Sequence, residues 1–192
     1  MIALVDYGAG NLTSVRKALA ALSVEFMTPA SPDDIAGAAG LIVPGVGHFD
    51  ATKALAGPWR DAIRRAVEGG TPLLGICVGM QWLFDGSDEA PDVPGLGALP
   101  GRVERLRGDS ERRLKIPHVG WNALEVSTDS RLLKGLAPTP YVYFTHSYAA
   151  PVTADCVGAA THAHRFAAAV ERNNVFGVQF HPEKSSDAGL QI

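Results

Sequence analysis

Thr71-Pro72-Leu73-Leu74-Gly75-Ile76-Cys77-Val78-Gly79-Met80-Gln81-Trp82-Leu83-Phe84 reads as an apolar strand that runs through a glycine-flanked cysteine into a helix. Small residues on both sides of a nucleophile at a strand-to-helix turn predict a nucleophile elbow, which lifts the reactive atom out of the carboxyl edge of a sheet. Gly75 and Gly79 leave out the Cβ groups that would crowd so tight a turn. N–H groups at the start of the helix favour a thiolate, which makes Cys77 the candidate nucleophile. The alternative is a structural thiol, since free cysteine is among the most buried residue types. The position of Cys77 at the elbow decides for reactivity.

Upstream of the elbow the chain alternates strands and helices. Ile2-Ala3-Leu4-Val5-Asp6 is a continuous apolar run of the kind covered by helices on both faces, and Tyr7-Gly8-Ala9-Gly10 ends it. Asn11 or Thr13 caps a helix reaching Leu22, with Leu12, Val15, Leu19 and Leu22 as its buried stripe. A strand over 23–28, a short helix opened by Ser31-Pro32-Asp33-Asp34 and a strand over 40–43 follow. Helices over 48–56 and 59–68 come next, the second entered through Pro58 and closed by Gly69-Gly70. This alternation predicts an α/β fold with an open, mostly parallel, doubly wound sheet whose sites lie beyond the carboxyl ends of its strands. Pro44-Gly45-Val46-Gly47 stands at such an end, where two glycines permit a peptide flip that turns a backbone N–H toward a developing oxyanion. A plain tight turn is the competing reading. Gly8-Ala9-Gly10 lacks the spacing and the lysine of a phosphate loop, which leaves backbone packing or a partner contact.

Downstream, Asp85 to Gly97 is polar and rich in turn residues, a loop expected to cross the mouth of the site. Between Leu99 and Val126 alternation at 102–107 and 122–126 predicts short strands in an antiparallel flank, with the basic residues from Arg102 to Lys115 on an exposed face. His118 is read as a loop histidine packed beside Trp121. Tyr141-Val142-Tyr143-Phe144-Thr145-His146-Ser147-Tyr148 is an aromatic strand ending in polar groups able to bind a small substrate. Strands over 155–161 and 166–172 form a hairpin around His162-Ala163-His164, a pair without further metal ligands nearby and expected to be solvated. The last strand begins at Val175 and ends in Gln179-Phe180-His181-Pro182-Glu183-Lys184-Ser185. In an extended segment His181 and Glu183 face the same side, toward the edge where Cys77 emerges. That arrangement permits a triad in which His181 takes the thiol proton and Glu183 fixes the imidazole tautomer.

A chain of 192 residues with 46% hydrophobic and 19% charged residues buries one core and is expected to form one domain over 1–192. The formal net charge of −3 gives no footprint for nucleic acid, and no apolar run reaches the roughly 18 residues of a membrane span. The N-terminus has no basic region before its apolar run, so it reads as a first strand and not as a signal peptide. Cys77 and Cys156 alone make no disulfide framework, which fits a reducing cytoplasm.

Taken together, Gly75-Ile76-Cys77-Val78-Gly79-Met80-Gln81 and Gln179-Phe180-His181-Pro182-Glu183 resemble the signatures of the class I glutamine amidotransferases in order and detail. Within that superfamily, Asp6-Tyr7-Gly8-Ala9-Gly10-Asn11-Leu12, Pro44-Gly45-Val46-Gly47, His118-Val119-Gly120-Trp121-Asn122 and His181-Pro182-Glu183-Lys184-Ser185 resemble the glutaminase subunits of imidazole glycerol phosphate synthase, of histidine biosynthesis. The resemblance spans nearly the whole chain and implies a flavodoxin-like fold. It implies Cys77 as nucleophile, His181 as acid-base and Glu183 as its orienter. Gln81, Glu89, Ser147 and Tyr148 match glutamine-binding positions, with serine at 147 where threonine is more usual. Val46 and Val78 match the oxyanion donors, flanked by Gly45 and Gly47. Tyr143, Lys184 and Asn11 match positions that meet the cyclase subunit in a heterodimer. No metal or cofactor is implied. Family members continue past Gly189-Leu190-Gln191-Ile192 with most of a final helix, so the last helix is expected to be trimmed. A stand-alone γ-glutamyl hydrolase, the amidotransferase subunit of another synthase and a non-catalytic binding module remain as alternatives.

Overall fold

The computed structural model describes residues 1–111, 114–127 and 129–192; Arg112 and Arg113, part of the expected basic face, lie outside the described residues. The first half winds as β1 (Ile2–Leu4), α1 (Leu12–Ala21), β2 (Phe26–Met27), a 3-10 turn at Pro32–Ile35, and β3 (Gly40–Val43). It continues through a 3-10 helix at Phe49–Leu55, α2 (Pro58–Glu68), β4 (Leu73–Ile76) and α3 (Val78–Trp82). The second half is strand-rich: β5 (Gly86–Ser87), β6 (Ala90–Pro94), β7 (Arg102–Arg105), β8 (His118–Ala123), β9 (Glu125–Val126), β10 (Tyr141–His146), β11 (Tyr148–Ala149), β12 (Cys156–His162), β13 (His164–Arg172) and β14 (Val175–Val178). A 3-10 turn at Pro182–Lys184 and α4 (Ser186–Leu190) close the described chain.

The central sheet has the order β2-β1-β3-β4-β14-β13-β12-β9. Pairing is parallel from β2 through β14 and antiparallel beyond it, which gives the expected mostly parallel sheet with its antiparallel flank. The parallel half follows the 2-1-3-4 winding of flavodoxin-like folds, whose ligands sit past the strands' carboxyl ends. β3 and β4 are apolar because both faces are covered, with Leu41, Val43, Leu73 and Ile76 at most 4% exposed. Trp82, Phe49, Phe84, Phe144, Phe166 and Phe180 fill the space between sheet and covering layer, each stabilising by about 2–3 kcal/mol through area removed from water.

The structure departs from the sequence expectations at several elements. α1 ends at Ala21, so Leu22 falls at the C-cap and is 46% exposed instead of completing the buried stripe. The strand over 23–28 shrinks to β2 at the sheet edge, and the helix over 48–56 is a 3-10 helix. The stretch 85–97 is not an unstructured loop, because β5 and β6 pair within it and join β7 and β11 in a four-stranded sheet. Arg102 is not merely a surface charge, since it donates to Asp88 and to the Ser87 and Pro91 carbonyls and ties that sheet together. The expected strand over 122–126 breaks at buried Leu124, with β8 pairing to β10 and β9 to β12.

Candidate active site

Cys77 sits at φ 55°, ψ −110°, a strained conformation for a residue with a Cβ. The surroundings over-determine it. The Cys77 N–H donates to the Val178 carbonyl of β14 (2.8 Å), and the Cys77 carbonyl accepts from the Gln81 N–H (3.0 Å). A Cβ on Gly79 would stand 1.8 Å from the Val43 carbonyl oxygen, and one on Gly75 would stand 2.6 Å from the Gly79 oxygen. Both glycines are therefore dictated by backbone-to-backbone approach, as the sequence predicts. α3 is only five residues long, so it supplies local N–H groups and little macrodipole.

His181 and Glu183 meet beside this elbow, where His181 Nδ1 lies 2.8 Å from Glu183 Oε1. The reason differs from the expected strand alternation. β14 ends at Val178, His181 is still extended, and the turn at Pro182–Lys184 folds Glu183 back onto the ring. The His181 main chain is pinned, its N–H donating to the Tyr143 carbonyl and its carbonyl accepting from the Ser185 hydroxyl. Both side chains are almost fully buried, at 1% and 3% exposure. Burial pulls the His181 pKa down, but the Cys77 and Glu183 side chains outweigh it and raise it to about 9. With Nδ1 held by Glu183, His181 Nε2 is left buried and unpartnered. Tyr7 adds a buried, unpartnered hydroxyl, whose pKa burial and the nearby Cys77 push well above the ordinary range.

Val46, Gly47, Cys77, Val78, Gln81, Glu89, Ser147 and Tyr148, all singled out in the sequence, line one cavity of about 260 Å³ at the carboxyl end of the parallel strands. Glu89 is held toward the Phe49 N–H, which donates to Oε2 (2.8 Å), and Gln81 Oε1 is buried without a partner. The Gly45 carbonyl accepts from the Val78 N–H at 3.4 Å. In a trans peptide the carbonyl and N–H point opposite ways, so the Val46 N–H is directed away from the elbow.

Away from the cavity, Trp121 packs edge-on against Tyr143 and Lys184 lies over the Tyr143 ring. Val119, Trp121 and Tyr141 are 57%, 53% and 63% exposed, so an apolar band flanked by a lysine faces outward on β8 and β10. Asn11 caps α1, its side chain accepting from the Ser14 N–H and donating to the Ser14 hydroxyl. His118 is not a loop residue beside Trp121: it lies on β8, 4% exposed, stacked between Phe144 and His162. His162 is accordingly half-buried and not simply solvated, while His164 is exposed. Among the described residues no three His, Cys, Asp or Glu side chains gather in a way that would hold a metal. The sequence reading assigned no role to Gln179, although its Nε2 stands 3.6 Å from the Cys77 sulfur. The available signal was a fully buried polar residue between Val178 and Phe180 in an otherwise apolar strand.

The chain belongs to the class I glutamine amidotransferase family, whose model matches residues 3–190. Within that class it is 46% identical over 195 residues to the imidazole glycerol phosphate synthase subunit HisH of Deinococcus radiodurans, covering all of this chain and 90% of that one. It is 49% identical over 197 residues to the HisH subunit of Gloeobacter violaceus, covering all of this chain and 86% of that one. A solved glutamine amidotransferase matches with a TM-score of 0.76 at 24% identity, over 99% of this chain and 95% of that one, a likeness of fold.

Proposed function

We propose that this chain is the glutaminase subunit of an imidazole glycerol phosphate synthase, hydrolysing L-glutamine to glutamate and ammonia and passing the ammonia to a cyclase subunit for histidine biosynthesis. The observation that carries the reading is a thiol at a strained elbow beside a buried His–Glu pair and a polar-lined cavity. Its identities of 46% and 49% to imidazole glycerol phosphate synthase subunits support the reading of a synthase with a second subunit. Cys77 attacks the side-chain amide carbon of glutamine, and its proton passes through His181 to the leaving ammonia. The resulting glutamyl thioester is hydrolysed by water that His181 deprotonates, while Glu183 holds the imidazole tautomer and stabilises its cation. Gln81, Glu89, Ser147 and Tyr148 hold the amino-acid end of the substrate.

The oxyanion of each tetrahedral intermediate requires N–H donors, which in this reading are Val78 and, once its peptide turns, Val46. With the Gly45 carbonyl on the Val78 N–H, that pair is incomplete in the free chain. A missing donor costs about 10²–10³ in rate. The cyclase subunit therefore acts as the switch, docking on the band around Trp121, Tyr143 and Lys184 with Asn11 at its rim and turning the Gly45–Val46 peptide. The setting is the cytoplasm, in keeping with two unpaired cysteines and with no helix among the described residues long and apolar enough to cross a membrane.

The test is a nitrogen balance in the complex assembled from this chain and a cyclase subunit, given glutamine and the cyclase substrate. Ring-closed product forming in step with glutamate, with little ammonia escaping, is expected. Ammonia appearing in solution at the glutamate rate, with full turnover by the chain alone, marks a stand-alone γ-glutamyl hydrolase instead.

A further inference from the structure

A line of buried and half-buried polar groups runs from β8 to the nucleophile, and the reaction as derived uses none of its first members. Asn122 Nδ2 lies 3.3 Å from His118 Nε2, His118 Nδ1 3.0 Å from His146 Nε2, and His146 Nδ1 2.8 Å from the Tyr148 carbonyl. Gln81 Nε2 donates to that same carbonyl (3.0 Å) and to Gln179 Oε1 (3.1 Å), and Gln179 Nε2 approaches Cys77 Sγ at 3.6 Å.

The direction of each bond in this line follows from the Tyr148 carbonyl at its middle. A carbonyl only accepts. The Tyr148 carbonyl therefore requires a proton on His146 Nδ1, which leaves Nε2 of the neutral ring as an acceptor for His118 Nδ1–H. His118 Nε2 must then accept, and the far end agrees: Asn122 Nδ2 also donates to the Thr161 carbonyl, while its Oδ1 accepts from the Ala123 N–H. Burial, helped by the other ring cations they would face, lowers His118 to about 4 and His146 to about 3, so both rings are neutral at physiological pH. On the other side of Tyr148 both Gln81 Nε2 hydrogens are engaged. Gln179 then has its oxygen toward Gln81 and its N–H toward sulfur. Reversing Gln179 would set two donors against each other and an oxygen lone pair against the thiolate.

We propose that Gln179 is a further catalytic residue of the glutaminase reaction, donating from Nε2 to the Cys77 sulfur to favour the thiolate. The neutral pair His118–His146 positions it indirectly, because His146 Nδ1–H holds the Tyr148 carbonyl in place and that carbonyl fixes which end of Gln81 donates. The same arrangement leaves Gln81 Oε1 as a buried, unpartnered acceptor in a residue that lines the cavity. The inference rests on the glutaminase reading for its purpose but not for its measurement.

The measurement is the pH midpoint of Cys77 alkylation by iodoacetamide, followed by mass spectrometry on the full chain in a Cys156→Ser background. The titratable groups facing Cys77 are His181 and Glu183 after β14, Tyr7 after β1 and Glu89 across the cavity, and all stay in place. Gln179→Met is expected to slow alkylation at neutral pH about tenfold by raising the midpoint, in line with the loss of a hydrogen bond to a charged group. Gln179→Glu, of the same shape, raises it further by putting a carboxylate beside the sulfur. His146→Phe keeps the ring packing and raises the midpoint by a few-fold in rate, and His146→Asn, which retains a donor near Nδ1, restores it. A parental midpoint in both Gln179 variants overturns the sulfur donor, and a parental midpoint in His146→Phe overturns the relay. If the glutaminase reading alone were wrong, these shifts would appear without any glutamine turnover.

Discussion

The elbow and the Pro44–Gly47 turn lie against each other, and the elbow is locked throughout while the turn is locked at Gly45 and open at Gly47. At the elbow, a Cβ on Gly79 would collide with main-chain oxygen, and Cys77 is clamped by bonds from both neighbouring elements. In the turn, Gly45 is packed closely too, since a Cβ there would stand 2.5 Å from the Tyr7 hydroxyl, but a Cβ on Gly47 would meet nothing within 4 Å, Val46 is half-buried, and the Gly45 oxygen accepts only one long bond of 3.4 Å from Val78. Strain locked in by packing gives a permanently displayed thiol, whereas the open Gly47 side leaves the turn room to change the direction of a peptide. In the function proposed above, that contrast would let the chain display a reactive thiol without hydrolysing glutamine wastefully.

The sharpest break falls on the fixed half. Cys77→Ala should lower glutamine hydrolysis in the assembled complex by about 10⁴-fold or more, since removing a nucleophile removes the concerted set; residual turnover above about 1% would mean that another group attacks. Next in size is a paired substitution. Gly79→Ala should cost more than about 3 kcal/mol or prevent folding, because the Val43 oxygen has nowhere to go. Gly47→Ala should cost only about 1 kcal/mol for its φ of +94°. Equal urea midpoints for the two would erase the distinction between locked and open backbone.

A smaller effect concerns the acid-base pair. His181 is raised to about 9 by Cys77 and Glu183 against the pull of burial, so between about 6.5 and 9 the folded chain holds a proton that the unfolded chain has released. Stability from this source is present below about 6.5 and is lost as pH rises through the folded value. Glu183→Gln lowers the folded value, and the decline in unfolding free energy across that window should become shallower. An unchanged slope would detach Glu183 from the imidazole.

What the sequence disclosed follows from which physical constraints are local. β1, β3 and β4 were legible because strands covered on both faces are unbroken apolar runs ended by Gly or Pro, and the elbow because Gly75 and Gly79 bracket a cysteine. β5 and β6 were hidden under turn-forming Gly, Pro and Asp, since their pairing depends on β7 and β11 elsewhere in the chain. Glu183 was matched to His181 for the wrong geometric reason, a 3-10 turn replacing strand alternation. The burial of His118 depends on Phe144 and His162, brought up by β10 and β12, and neither is visible from its neighbours. The direction of the Gly45–Val46 peptide is marked by a bond from Val78, at the start of α3, to the Gly45 oxygen, beyond any local pattern.

The most direct test is the glutamine turnover number of this chain measured alone and then saturated with a cyclase subunit. A rise of at least about 10²-fold on binding is predicted, the worth of one restored oxyanion donor. Equal turnover in the two states would contradict it, because the elbow and the turn would then be equally ready.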